Sequence, residues 1–320
     1  MRCTPTRLLF VAASLTLAAC DGADSPLAPA ESPDTPAAEL AVPEFLTATA
    51  DQRIVFQSYR SGNGDIYKMD TQGTHLVRLT TSADEERVPA WSYDNKKIAM
   101  VRPRPRGNST VQDVYVMNAD GTGGHWAMPL PSPWHLADPS WSPDGSRLVV
   151  SALVSGTSYL AWVNLTTGNI QLINTELGGV VGQEPKYDRA GQKIVYLGAN
   201  ATSIHQIKAD GTSHKVLVNA STFVRLPAYS PDGKKLAYSK LISTGDEEIF
   251  VKNLVDGTTA RLTRSVGEDA APSWSPDGSR IAFESRRSGT LQIWTMDAAG
   301  GSLTRITHTS GTELYPQWSH

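Results

Sequence analysis

The chain has 320 residues, 40% of them hydrophobic and 8% aromatic, with 29 basic against 32 acidic side chains. That length and apolar content can bury a sizeable core. The slight acidic excess, with no Lys/Arg run beyond the proline-broken Arg102, Arg104 and Arg106, excludes nucleic acid as a partner.

Residues 1–19 read as an export leader. Arg2 and Arg7 give it a basic start, Leu8 to Leu17 an apolar core, and Leu17-Ala18-Ala19-Cys20 a small-residue cleavage site. The pattern closely resembles a bacterial lipoprotein signal, which implies cleavage before Cys20 and lipidation of that residue. The other cysteine, Cys3, leaves with the leader, so no internal disulfide is expected. Loss of Arg2 and Arg7 leaves 27 basic against 32 acidic side chains, a net charge of −5. Residues 20–50 read as the lipidated cysteine and a tether, in which Pro26, Pro29, Pro33, Pro36 and Pro43 alternate with Ala, Ser and acids. Such composition stays extended. Thirty residues of it would reach on the order of 100 Å.

From residue 51 to residue 320 the sequence repeats itself. Pro-x-aromatic recurs at Pro89/Trp91, Pro139/Trp141, Pro185/Tyr187, Pro227/Tyr229, Pro272/Trp274 and Pro316/Trp318, with spacings of 50, 46, 42, 45 and 44 residues. A turn ending in Asn95, Gly145, Gly191, Gly233 or Gly278 follows each of the first five. Between repeats, short runs such as Arg280 to Ser285 and Leu291 to Met296 alternate as strands that are apolar on both faces. Such a sheet must be covered on both sides, and its own copies can do that. A period near 45 with four strands per unit predicts an all-β, six-bladed β-propeller of four-stranded antiparallel blades. Nothing before Arg53 supplies an inner strand for the first blade, whereas Tyr315 to Ser319 is an inner strand with no blade of its own. Pairing the two closes the ring.

The consensus Pro-x-Trp-Ser-Pro-Asp-Gly, then Ile-Ala-Phe-x-Ser-x-Arg-x-Gly, then Ile-Tyr/Trp-x-Met-Asp resembles the repeats of the TolB β-propeller family. Residues 272–297, 54–70 and 227–239 are its clearest instances. The resemblance covers residues 51–320 and implies the fold; function must come from a site. TolB itself joins its propeller to an N-terminal α/β domain. Only the acidic tether precedes this ring, so the Tol–Pal role does not carry over by default.

Two rim features stand out. Three positions before each repeated Pro lie Glu86, Leu136, Gly182, Val224, Asp269 and Glu313, and the Ser-x-Arg slot of each blade holds Arg60, Arg104, Val154, Asn200, Ile242 and Arg287. Acid and Arg occur together in blades 6, 1 and 2. They are expected as tunnel-mouth ion pairs pinning neighbouring loops, in preference to an acidic arc for a cation. On the other side Trp134, His135, Leu136, Phe223, Val224 and Ile242 suggest an apolar interaction patch. No catalytic signature, phosphate loop or calcium loop is present, so no catalytic residue, cofactor or metal is expected. The expected function is a non-enzymatic scaffold that binds an envelope protein or peptide. It would be a monomer held at the periplasmic face or outer membrane by the lipid on Cys20 alone. The alternative is a carbohydrate-active enzyme resembling polysaccharide lyases, with a metal or His site at the tunnel mouth.

Overall fold

The computed structural model describes residues 52–129, 133–175 and 178–320. The leader, Cys20 and the tether therefore lie outside the described residues. Six four-stranded antiparallel sheets form the blades. Blade 1 comprises Glu313–Trp318, Arg53–Ser58, Asp65–Asp70 and Val77–Arg78, in that order from the inside outward. Blades 2 to 6 begin with the inner strands Arg87–Trp91, His135–Trp141, Gly182–Tyr187, Val224–Tyr229 and Asp269–Trp274. Their second strands are Lys97–Arg106, Arg147–Val154, Lys193–Gly198, Lys235–Ser243 and Arg280–Ser285. A small extra hairpin, Asn174–Thr175 with Gly178–Gly179, lies between blades 3 and 4.

Closure follows the expected scheme. Ile54 pairs with Trp318 and Ser58 with Glu313, so the two ends of the described chain share one sheet. Ser319 adds a backbone N–H to the carbonyl of Arg53 at 2.8 Å. The turns after the repeated aromatics are built by their own side chains. In Ser275-Pro276-Asp277-Gly278 the Ser275 hydroxyl donates to Asp277 at 2.6 Å, Asp277 accepts the Ser279 N–H, and Gly278 takes φ 71°.

The core lies between the blades. Ile54, Phe56 and Met69 of blade 1 pack with Ala282 and Ile293 of blade 6 and with Trp318. On the other face, Val55 and Ile66 pack with Trp91, Ile98 and Met100 of blade 2. Each such side chain contributes about 1.5–3 kcal/mol on burial. This is why a single blade cannot stand alone.

The tunnel is shaped by a bulge that the repeat carries six times. The inner strand of every blade shifts register around its Pro. The residue before that Pro is left-handed throughout: Val88, Asp138, Glu184, Leu226, Ala271 and Tyr315, with φ between 50° and 53°. A bulge adds a residue to one strand and re-aims the side chains around it.

Candidate functional site

The bulge decides which residues face the tunnel. The position three before Pro points into protein: Glu86, Leu136, Val224, Asp269 and Glu313 are all fully buried. The left-handed position immediately before Pro lines one section of the tunnel, a cavity of ≈ 90 Å³. The residue immediately after Pro lies deeper. Lys186, Ala228, Ser273 and Gln317 line both this section and the next, and so mark the passage between them.

In blades 1 and 6 the Arg of the slot meets the acid three residues before Pro. Arg60 lies 3.1 Å from Glu313 and Arg287 2.7 Å from Asp269. Each acid also takes a hydroxyl four residues upstream, Thr309 at 2.6 Å for Glu313 and Ser265 at 2.8 Å for Asp269. Each Arg reaches back because its strand ends at Ser58 or Ser285 and turns at once, and each lies over an aromatic ring, Tyr67 at 4.7 Å and Trp294 at 5.0 Å. In blade 2 the pairing differs from expectation. There Lys97–Arg106 runs on as a ten-residue strand paired with Ser109–Asn118, so no turn brings Arg104 back to Glu86. Arg104 instead lies 3.3 Å from Asp113 and donates to the carbonyls of Met128 and Pro129. Arg102 takes the slot, with its Nε 3.6 Å from Glu86.

The expected apolar patch is also smaller than anticipated. Leu136 and Val224 occupy the inward slot and belong to the core, filling space that an ion pair takes in the other blades. Trp134 is half-buried against the core cluster of blades 2 and 3. His135 accepts the backbone N–H of Gln112 at 3.2 Å. Phe223, 56% exposed, and Ile242 remain on the rim.

The rim alignment missed a set of charged residues: Asp138, Glu184 and Lys186 at the tunnel, Arg225 on the inner strand of blade 5 and Glu284 on the second strand of blade 6. Their sequence signal is their position around the repeated Pro, at residues 138, 184 and 186 of blades 3 and 4. The backbone N–H of the left-handed residue fastens blade to blade at several steps. Ser151 of blade 3 accepts that of Glu184 at 3.0 Å, Ser239 of blade 5 that of Ala271 at 3.2 Å, and Glu284 of blade 6 that of Tyr315 at 2.8 Å. At the step from blade 4 to blade 5 the corresponding residue is Leu197, paired with Gln183, and cannot accept. The Glu184 carboxylate accepts the Leu226 N–H in its place.

Burial raises the Glu184 carboxyl above the usual range, and the charge of Asp138 adds to this. Burial pushes Glu284 up to about 7, with Glu268 acting in the same direction. It pulls Lys186 down, against the fields of Asp138 and Glu184. Arg225 donates to Glu247 at 2.8 Å and to Glu268, which also lies 3.6 Å from Arg286. Among the charged side chains that line this section of the tunnel, Asp138 and Glu184 stand against Lys186 alone.

The far mouth is crossed by side chains. Arg189 of blade 4 donates to the carbonyl of Pro276 in blade 6 at 3.1 Å. His320 stacks on Tyr93 with ring centroids 3.9 Å apart and exchanges two hydrogen bonds with Asn95. The mouth edged by Asp138 and Glu184 is thus the freer approach.

Residues 184–320 match the TolB beta propeller domain family. The Tol-Pal system protein TolB of Alcanivorax borkumensis is 30% identical over 102 residues, 30% of this chain and 24% of that protein. The chain spans 24 to 60% of the length of three curated relatives it matches. Among solved structures, TolB from Acinetobacter baumannii superposes with a TM-score of 0.71 at 21% identity, over 83% of this chain and 66% of that one. An oligogalacturonate lyase in complex with manganese superposes at 0.56 and 16% identity, over 81% of this chain and 74% of that one. These two likenesses establish the fold alone. With its six bulged Pro-x-aromatic strands, its ring closed by residues 313–318 and the family match over residues 184–320, the chain folds as a TolB-like β-propeller.

Proposed function

We propose that this propeller is a non-enzymatic binding module of the bacterial cell envelope. It would admit a cation-bearing segment of an envelope protein or peptide at the mouth edged by Asp138 and Glu184. The observation that carries the reading is the placement of two acids, Asp138 and Glu184, against the single base Lys186 among the side chains lining that section. A Lys or Arg side chain entering there would meet pre-placed acceptors in a site where water is scarce. Phe223 and Ile242, on the same face, offer apolar contact to the flanking part of the segment. The TolB relatives support an envelope location. The leader and Cys20 fit a monomer held by lipid at that cysteine, on the periplasmic face or at the outer membrane.

The lyase reading would need a metal or His centre at this mouth. Among the described residues the side chains lining that section include no His, and the neighbour that suggests it shares only the fold.

A photocrosslinking residue in place of Tyr315 tests the proposal in the native envelope. Asp138→Asn and Glu184→Gln keep the local acceptors while removing charge. The reading expects one envelope protein crosslinked at residue 315 and its loss in the double variant. Crosslinks indifferent to both substitutions, or matched by a probe at the remote, exposed Val255, would reject it.

A further inference from the structure

Away from the tunnel, blade 4 holds two imidazoles that meet nitrogen to nitrogen. His205 lies on Ser203–Lys208, the third strand, and His214 immediately precedes Lys215–Asn219, the fourth. The turn between them is self-supporting. Asp210 accepts the Thr212 N–H at 2.9 Å, Gly211 takes φ 90°, and Ser213, at φ 56°, swings His214 back over the third strand. As a result His205 Nδ1 and His214 Nε2 are 2.7 Å apart, with ring centroids at 4.9 Å. The other nitrogen of His205 lies 2.7 Å from Ser203 Oγ, and the Tyr196 ring stacks on His205 at 5.4 Å. The arrangement depends on Gly198, where a Cβ would come within 2.6 Å of His205 Nε2 and 2.7 Å of Ser203 Oγ. The pair borders a groove of ≈ 860 Å³ lined by Tyr196, Ser203, the turn Gly211 to Ser213 and the segment Gly179 to Val181.

We propose that His205 and His214 together bind one borderline divalent transition-metal ion, Cu²⁺ or Zn²⁺, whose remaining coordination positions open into this groove. When Ser203 Oγ accepts from His205 Nε2–H, the lone pair of His205 falls on Nδ1, facing its partner. A hydroxyl on the remote nitrogen of a ligating imidazole is the outer-shell arrangement that fixes tautomer and ring orientation at metal sites. Metal–nitrogen bonds near 2.0–2.1 Å at a tetrahedral angle need the two nitrogens roughly 3.3 Å apart. An opening of about 0.6 Å suffices, and the exposed His214 can supply it by rotation. His214 then carries its proton on Nδ1 and offers Nε2 to the ion. Imidazole without carboxylate selects the later first-row ions over Mg²⁺ and Ca²⁺. Among the described residues no cluster of three or more His, Cys, Asp or Glu could hold a metal, so water or a groove ligand would complete the shell.

Calorimetric titration of the untagged full chain with Cu²⁺, Zn²⁺ and Mg²⁺ at pH 7.5 tests this. The expected result is one equivalent of Cu²⁺ or Zn²⁺ and no uptake of Mg²⁺. His214→Ala, at an exposed position the fold does not use, should abolish that isotherm. Ser203→Ala should weaken it by about tenfold, through the orientation of His205. A wild-type chain that takes up neither ion, or an isotherm unchanged in His214→Ala, overturns the site.

Discussion

The Arg60 guanidinium and the Glu313 carboxylate meet 3.1 Å apart at the seam where the two ends of the ring are joined. Glu313 is fully buried and Arg60 only 17% exposed at its side chain. Removing the cation alone leaves a carboxylate in the protein interior with Thr309 as its remaining hydroxyl donor. Arg60→Leu should therefore cost about 3–5 kcal/mol in urea unfolding. Arg60→Leu with Glu313→Leu should cost clearly less than the two single changes added together, because no orphaned charge remains. Additive losses would show that the pair is not coupled.

The same seam makes the C-terminal strand indispensable. Deleting residues 313–320 removes the inner strand of blade 1, uncovers the edge of Arg53–Ser58 and strips Trp318 from the packing between blades 1 and 6. Cutting back a buried Trp alone costs about 3–5 kcal/mol. A domain whose whole stability is about 5–15 kcal/mol cannot lose that strand and stay cooperative. The truncated chain should show no sharp calorimetric transition. A transition of unchanged temperature and enthalpy would mean that the ring closes by other means.

What the sequence made legible and what it hid both trace to the bulge. The blade count and the closing strand could be read because Pro, the aromatic and the turn residue each have a local physical reason to recur. The Arg60–Glu313 and Arg287–Asp269 pairs could be read because their strands end in compact turns. Glu86 with Arg104 could not, since nothing in Arg102 to Arg106 announces that the hairpin runs on past Val101. Leu136 and Val224 look like rim residues because the position three before Pro falls at the entry to each inner strand. One extra residue in each inner strand sends that position inward and turns Asp138 and Glu184 toward the tunnel instead.

The six left-handed residues carry a cost that differs with side chain. Val88 is β-branched and sits at φ 50°, where such residues are rarely found, whereas Ala271 at φ 53° has only its Cβ to accommodate. Val88→Gly should relieve about 1–2 kcal/mol of strain, partly offset by about 0.5–1 kcal/mol of lost backbone freedom. The net expectation is unchanged to slightly raised stability. Val55→Gly, at a fully buried and regular strand position, should be destabilising by several kcal/mol. Equal losses at the two sites, measured by thermal unfolding, would remove the bulge from any role in strain.

Glu284 should make stability depend on pH in a direction opposite to that of most carboxylates. It is 2% exposed, accepts the Tyr315 N–H at 2.8 Å, and burial raises its pKa to about 7 from an ordinary 4.5. Between those two values the folded chain holds a proton that the unfolded chain has released. The group's contribution is therefore complete below about pH 4.5, declines as the pH rises, and is gone above about 7. A shift of that size corresponds to as much as about 3 kcal/mol. Gln at 284 keeps an oxygen for the Tyr315 N–H and has no proton to lose. Glu284→Gln should accordingly match the parent in urea midpoint near pH 4.5 and exceed it at pH 8, with the shallower slope that remains assigned to Glu184, which is raised for the same reason. Parallel profiles for the two proteins across this range would place the ionised form of Glu284 at ease in the fold, with Arg225 as the compensating charge.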